Sequence, residues 1–321
     1  MEKNTRQIER VKTFSLINWE SEAIEYSANK KLLSPPDASA KIKKSLKFSK
    51  VATWILYMSP ATLNSFGKNI CSYSSDGCRA GCLAESGRGA FDVVKKGRMN
   101  KTNFFFADRN LFLLTLYKNI KSAMKSSANV GQGSEKFKLD DKVQRAFRLN
   151  GTSDLPWWLY FDKYTDVAEF KVTETNPLGF MGALQREYPD IRFYDYTKNP
   201  KWAERFLGTD YHVTLSRSED NEKECIDFIK KGGTSAIVFM LDKNDDLPSY
   251  YKGIPVIDGD ETDARFLDPK GVWVGLRWKV NKLNYEKNLD PFKFSVRKDN
   301  ISPTDWYPED TLPNEFSQNI D

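Results

Sequence analysis

The chain has 321 residues, 40% hydrophobic, 29% charged and 13% aromatic, with a net charge of +5, four cysteines and one histidine. This is a globular composition, long enough for one large domain or two small ones. A lone His212 excludes two-histidine zinc sites, the two-histidine-one-carboxylate iron site and His-Glu-x-x-His proteases, and four cysteines in a chain this long exclude a disulfide scaffold.

Residues 1–48 read as a polar, Lys-rich leader with some helix, interrupted at Ser34-Pro35-Pro36. Residues 1–50 carry eleven Lys/Arg and six Asp/Glu, a surplus equal to the whole net charge of +5, so residues 51–321 sum to zero. Such a basic arm suits nucleic acid or another polyanion, with a solvated leader as the plainer reading. It contains no apolar h-region. The longest apolar run, near residues 236–241, is too short to cross a bilayer. We therefore expect no membrane partner and a cytoplasmic location; nothing in the sequence sets the oligomeric state.

Residues 51–58, VATWILYM, predict the first strand. A long loop with three cysteines follows. Asp108 is placed to cap a helix over 109–125, where Leu113, Leu116, Tyr117, Ile120 and Met124 share one face. Residues 126–134, SSANVGQGS, read as a flexible connection. A βα rhythm then sets in. Strands are predicted at 146–150, 191–196, 211–215, 235–241, 255–257 and 272–276, with helices at 177–187, 202–207 and 220–231, the last closed by Gly232-Gly233. The alternation predicts a parallel sheet, and we expect a (β/α) barrel or partial barrel over 49–280. Residues 281–321 form an acidic, Pro-containing tail.

Nearly every strand runs into polar residues. These are Arg148, Asn150, Ser153 and Asp154; then Asp195 and Lys198; then Ser216, Arg217 and Glu219; then Asp258 and Asp260. In a βα barrel these positions build the active site, although polar loops follow apolar strands in any case and the acids also suit helix caps. His212 lies in the β-prone YHVTL, as a base or as a core histidine. Trp157 and Trp158 suit either a base-stacking lid or the core.

Cys71, Cys78 and Cys82 fall within twelve residues, beside Gly77 and Gly81, while Cys225 lies in an amphipathic helix. Three thiolates fit a 4Fe–4S cluster with one iron left open, or zinc completed by Cys225 or His212; structural thiols are the third reading.

The segments FGKNICSYSSDGCRAGCLAESGRG, DRNLF, RLNGTSD, FYDYTK, YHVTLSRSE, VIDGDETDARF and DPKGVWVGL run from about residue 63 to 276. In these the chain resembles the phage-borne gene product eighty-eight family. The thiol loop after strand one also resembles the radical S-adenosylmethionine superfamily, with a Cys spacing of x6 and x3 in place of that superfamily's x3 and x2. The resemblance implies an iron–sulfur protein of the host cytoplasm acting on a nucleotide, nucleic acid or peptide. Cys71, Cys78 and Cys82 would hold the cluster. Arg148, Asn150, Gly151, Ser153, Asp154 and Asp258 would contact S-adenosylmethionine, and Arg217, Glu219, Asp195 and Lys198 would face the substrate. Two other functions remain open: a non-catalytic, metal-stabilised binder of nucleic acid or a host protein, and a magnesium or manganese hydrolase using Asp154, Asp195, Asp258 and Asp260.

Overall fold

The computed structural model describes residues 31–85, 87–127, 129–130, 137–140, 142–279 and 293–306. Most of the expected leader, part of the 126–134 connection and most of the tail lie outside these residues. In chain order the elements are β1 (Leu33–Ser34), α1 (Ala40–Ser49), β2 (Val51–Leu56), α2 (Asp76–Ala80), α3 (Asp92–Ala107), α4 (Arg109–Met124), β3 (Asn129–Val130), β4 (Phe137–Lys138), β5 (Gln144–Arg148), α5 (Trp157–Tyr164), α6 (Phe180–Glu187), β6 (Arg192–Thr197), α7 (Pro200–Arg205), β7 (Tyr211–Ser216), α8 (Glu222–Lys230), β8 (Thr234–Met240), β9 (Tyr250–Tyr251), β10 (Ile254–Asp258), β11 (Val272–Arg277), β12 (Val296–Arg297) and α9 (Pro303–Trp306).

The main sheet has ten strands in the order β1-β2-β5-β6-β7-β8-β11-β10-β9, with β12 beside β8. It is mostly parallel, as the βα rhythm predicts, but β1 and β9 are two separate ends. The expected barrel is therefore corrected to an open sheet. Each end is an antiparallel strand, β1 on β2 and β9 on β10, so neither edge presents a strand in parallel register to close against.

The chain divides into two compact units, one of residues 1–71 and 91–193, the other of 72–90 and 194–321. In the first, all six residues of β2 are buried, as a parallel strand covered on both faces requires. It pairs with β5 through Thr53 and Ala146. Asp108 caps α4 by accepting from the Leu111 N–H at 2.9 Å, as expected. The buried set is wider than the predicted stripe, taking in Leu111, Phe112, Leu114 and Ala123. Beside it lies an aromatic core in which the Phe161 and Phe180 rings stack at 3.7 Å and Phe112 stacks on Trp157 at 6.2 Å. Such pairs add about 1 kcal/mol each beyond their buried area. Trp157 and Trp158 are both buried and belong to this core.

In the second unit β8 is central, parallel to β7, β11 and β12. Helix α8 buries Cys225, Phe228 and Ile229. A Cβ on Gly233 would enter the Phe228 ring at 2.3 Å, so a glycine there lets the chain turn tightly into β8. Lys252 and Gly253, both at positive φ, make the tight turn joining β9 to β10. Among the described residues no helix is long and apolar enough to cross a membrane.

Candidate functional site

In the first unit the turn after β5 is organised around one amide side chain. Asn150 is buried, and its Oδ1 accepts from Ser153 Oγ at 2.9 Å, Leu155 N at 2.9 Å and Trp157 Nε1 at 3.1 Å. Its Nδ2 donates to Leu155 O at 3.1 Å. A Cβ on Gly151 would stand 2.6 Å from Ile55 and 2.8 Å from Leu56 O, so the glycine lets the turn press against β2. Asp154 is buried and donates its N–H to Ile70 O at 2.9 Å, in a parallel bridge with Cys71. Arg148 is half-buried at the end of β5. Asn150 and Ser153, expected at a cofactor, brace this loop through these bonds.

In the second unit the corresponding residues reach other segments. Asp195 is buried and accepts from Tyr211 OH at 2.9 Å. Lys198 Nζ donates to Ser216 Oγ and Arg217 O, both at 3.1 Å, and lies 4.9 Å above the Phe294 ring. Arg217 pairs with Glu222 at 3.1 Å and donates to Phe294 O at 2.7 Å and Lys293 O at 3.2 Å. Glu222 also accepts from Tyr251 OH at 3.0 Å and pairs with Lys252. Burial raises the Glu222 carboxyl, but Lys252, Arg217 and Tyr251 outweigh it and hold it below the usual carboxylate range.

Glu219 does not cap the helix after its own strand, where Asn221 holds the N-cap position. It holds α2. Its two oxygens accept from Ser75 Oγ and Gly77 N, each at 2.7 Å, and Ser75 Oγ accepts from Cys78 N at 3.1 Å. A Cβ on Gly77 would meet the carboxylate at 2.8 Å and Phe294 at 2.7 Å, and one on Gly81 would meet Trp278 at 2.8 Å. The two glycines thus wrap around Glu219, Phe294 and Trp278. Burial pushes the Glu219 carboxyl up, but its own backbone N–H, Ser75, Gly77 and the Lys198 charge together carry it below the ordinary value. These residues are 144 positions apart in the case of Ser75 and Glu219, and no local pattern in the sequence pointed to the contact.

Asp258 pairs with Arg277 at 2.9 Å and accepts from Asp260 N at 2.8 Å, while Asp260 pairs with Arg277 and Lys279. Arg277, missed in the sequence, and Lys279 together balance the two carboxylates. His212 Nε2 lies between Thr214 Oγ1 at 3.3 Å and Thr234 Oγ1 at 3.2 Å. Burial, helped by the Arg265 charge, pushes it down to about 4, so it is a neutral core histidine at neutral pH.

None of the four cysteines is in a disulfide. Cys71, Cys78 and Cys82 are half-buried, and Cys71 Sγ accepts from Ala61 N at 3.4 Å. Cys225 differs: it is buried, and burial pushes its thiol up to about 12. Among the described residues no three His, Cys, Asp or Glu side chains stand together in a metal-binding group. The convergence of Asp154, Asp195, Asp258 and Asp260 that a metal-dependent hydrolase needs is therefore not found among them.

These features define an open, mostly parallel α/β protein with polar strand ends and an accessible three-thiol loop. The Gene product 88 family model matches residues 24–287, and the chain belongs to that family. No curated protein and no solved structure matches it.

Proposed function

We propose that this chain is a thiolate-ligated iron–sulfur protein in which Cys71, Cys78 and Cys82 hold a 4Fe–4S cluster. The observation that carries this reading is the contrast among its thiols. The three within one loop are half-buried and in no disulfide, and the fourth, Cys225, is sealed in the core. Soft thiolates select iron–sulfur or zinc over hard cations. The donor chemistry fits, although the side chains are not gathered; ligation would contribute the free energy of ordering the loop. Glu219 fits a positioning role, since it fixes the turn that presents Cys78.

A cluster with three protein thiolates leaves one iron open to a small ligand. S-adenosylmethionine is the ligand the resemblance suggests, and a nucleotide, nucleic acid or peptide the substrate class. The cytoplasm of a phage host is the compartment that keeps such thiols reduced. The open sheet withdraws the barrel argument for S-adenosylmethionine chemistry, so the proposal rests on the thiols. Iron and sulfide analysis of the full chain, purified without oxygen, tests it. About four irons per chain are expected, lost when Cys71, Cys78 and Cys82 become Ser and kept in Cys225→Ser. Zinc at one per chain, or a metal-free protein, overturns it.

A further inference from the structure

The first unit carries a row of alternating cations and rings with no part in the proposed metal site. Lys68 Nζ lies over the Phe66 ring at 5.9 Å and the Phe106 ring at 5.4 Å, and those rings are 5.7 Å apart. The Arg109 guanidinium follows, 5.6 Å from Phe106 and 4.9 Å from Tyr164. Lys163 lies 5.4 Å over Tyr164. Phe66 is 44% exposed. Lys68 and Lys163 are exposed, and Phe106, Arg109 and Tyr164 are half-buried.

Phe66 leaves nearly half of its surface open to solvent, and a dedicated frame holds it in place. Asn64 Oδ1 accepts from Phe66 N at 3.1 Å and Lys68 N at 3.3 Å, and its Nδ2 donates to Lys68 O at 2.7 Å. Asn103 fastens the same loop to α3 by accepting from Ser65 N and donating to Ser65 Oγ, each at 2.9 Å. Behind the row, Phe105 packs against Phe106 at 5.2 Å and Trp157 at 5.8 Å. The two acids adjoining the row's cations in sequence are engaged. Asp162 pairs with Lys171 at 3.5 Å. Asp108 is turned to the α4 N-terminus, and burial holds its carboxyl above the usual range.

We propose that this row binds the unpaired nucleotides of single-stranded DNA or RNA. Its rings would stack on bases while Lys68, Arg109 and Lys163 meet phosphates. Stacking platforms interleaved with cations recognise single strands without regard to sequence. A duplex hides its base faces, and an acidic peptide would leave Phe66 and Phe106 without a partner. None of its residues belongs to the basic 1–50 segment, and the site does not depend on the metal reading.

Fluorescence anisotropy of the full chain with labelled oligo(dT) and oligo(rU) of about 12 nucleotides, and with a blunt duplex of the same length, tests the proposal. Single strands should bind more tightly than the duplex, and less tightly as salt rises. Phe66→Ala should weaken binding about tenfold. The double variant Lys68→Ala/Lys163→Ala should flatten the dependence of log affinity on log salt by about 0.7 per cation. Both variants change exposed side chains, and an unchanged urea midpoint verifies their folding. A full chain with Lys3, Arg6, Arg10 and Lys12 changed to Ala should keep its preference for single strands. Binding of either strand supports the proposal, and the ratio of the two identifies the nucleic acid. Equal duplex binding, no binding, loss through the leader variant alone, or unaltered binding by both row variants overturns it.

Discussion

The turns that follow the parallel strands β5 and β7 use polar residues in opposite ways. Asn150 and Ser153 are buried and bonded within their own turn. Arg217 and Glu219 are half-buried and reach out, one to the backbone at 293–294 and the other to the helix bearing Cys78. A polar cluster at a strand end is thus not in itself a ligand site. In the β5 turn Asn150 is a brace for its own loop. The β7 turn holds distant segments in place, so its loss should be felt at the thiols.

The largest expected effect falls on the brace. Asn150→Ala removes one acceptor from three buried donors and one donor from Leu155 O. At about 1–3 kcal/mol for a stranded buried group, with partial relaxation, the chain should lose about 4 kcal/mol. Urea unfolding measures this as a lower midpoint. Iron bound per folded chain should stay the same. A normal midpoint, or metal lost without stability lost, would break the comparison by making Asn150 a ligand-site residue.

The next effect is a pH dependence centred on His212 in β7. Its folded-state value is about 4, against an ordinary 6.5, with burial the main cause and Arg265 the second. The unfolded chain therefore takes up the proton first as pH falls. Stability from this residue is complete above about 6.5 and is lost progressively down to about 4. The loss totals about 3 kcal/mol by linkage. Urea midpoints measured from pH 7 to 4 should fall in the parent and fall less in His212→Gln. Equal slopes would show that the imidazole titrates normally between its two threonines.

Much of this was readable in the sequence, and the failures have physical causes. The strands β2, β8 and β11 stand out because strands buried on both faces are largely apolar runs, and β7 through its β-prone YHVTL. Helix α4 was legible through its Asp108 cap. Helix α3 was not, because its stretch DVVKKGRMNKTNFFFA buries only Thr102 and Phe105 and carries no apolar period. Closure of the sheet depends on which strands become edges, a non-local choice that the βα rhythm does not encode. The three thiols were visible as a cluster in sequence, while the Glu219 contact that orients Cys78 spans 142 to 144 residues. Only the fold shows that Gly77 and Gly81 close on a carboxylate, the Phe294 Cβ and the Trp278 ring.

The smallest effect on stability should have the clearest effect on metal. Glu219→Gln keeps the size of the side chain and one acceptor, but loses the charge and one of two short bonds at the α2 N-terminus. Half-buried and partly screened, that change should cost about 1 kcal/mol. The folded-state value of Glu219 lies below the ordinary carboxylate value. Its contribution is therefore present above the unfolded value and lost as pH falls through the folded one. The parent should release metal along that acid limb, whereas Glu219→Gln should begin with a lower iron occupancy and lack this part of the pH response. A structural brace like Asn150 would lower the urea midpoint and leave occupancy per folded chain unchanged. A positioning residue for Cys78 lowers occupancy with little change in the midpoint, because the turn loses its alignment before the fold loses its core.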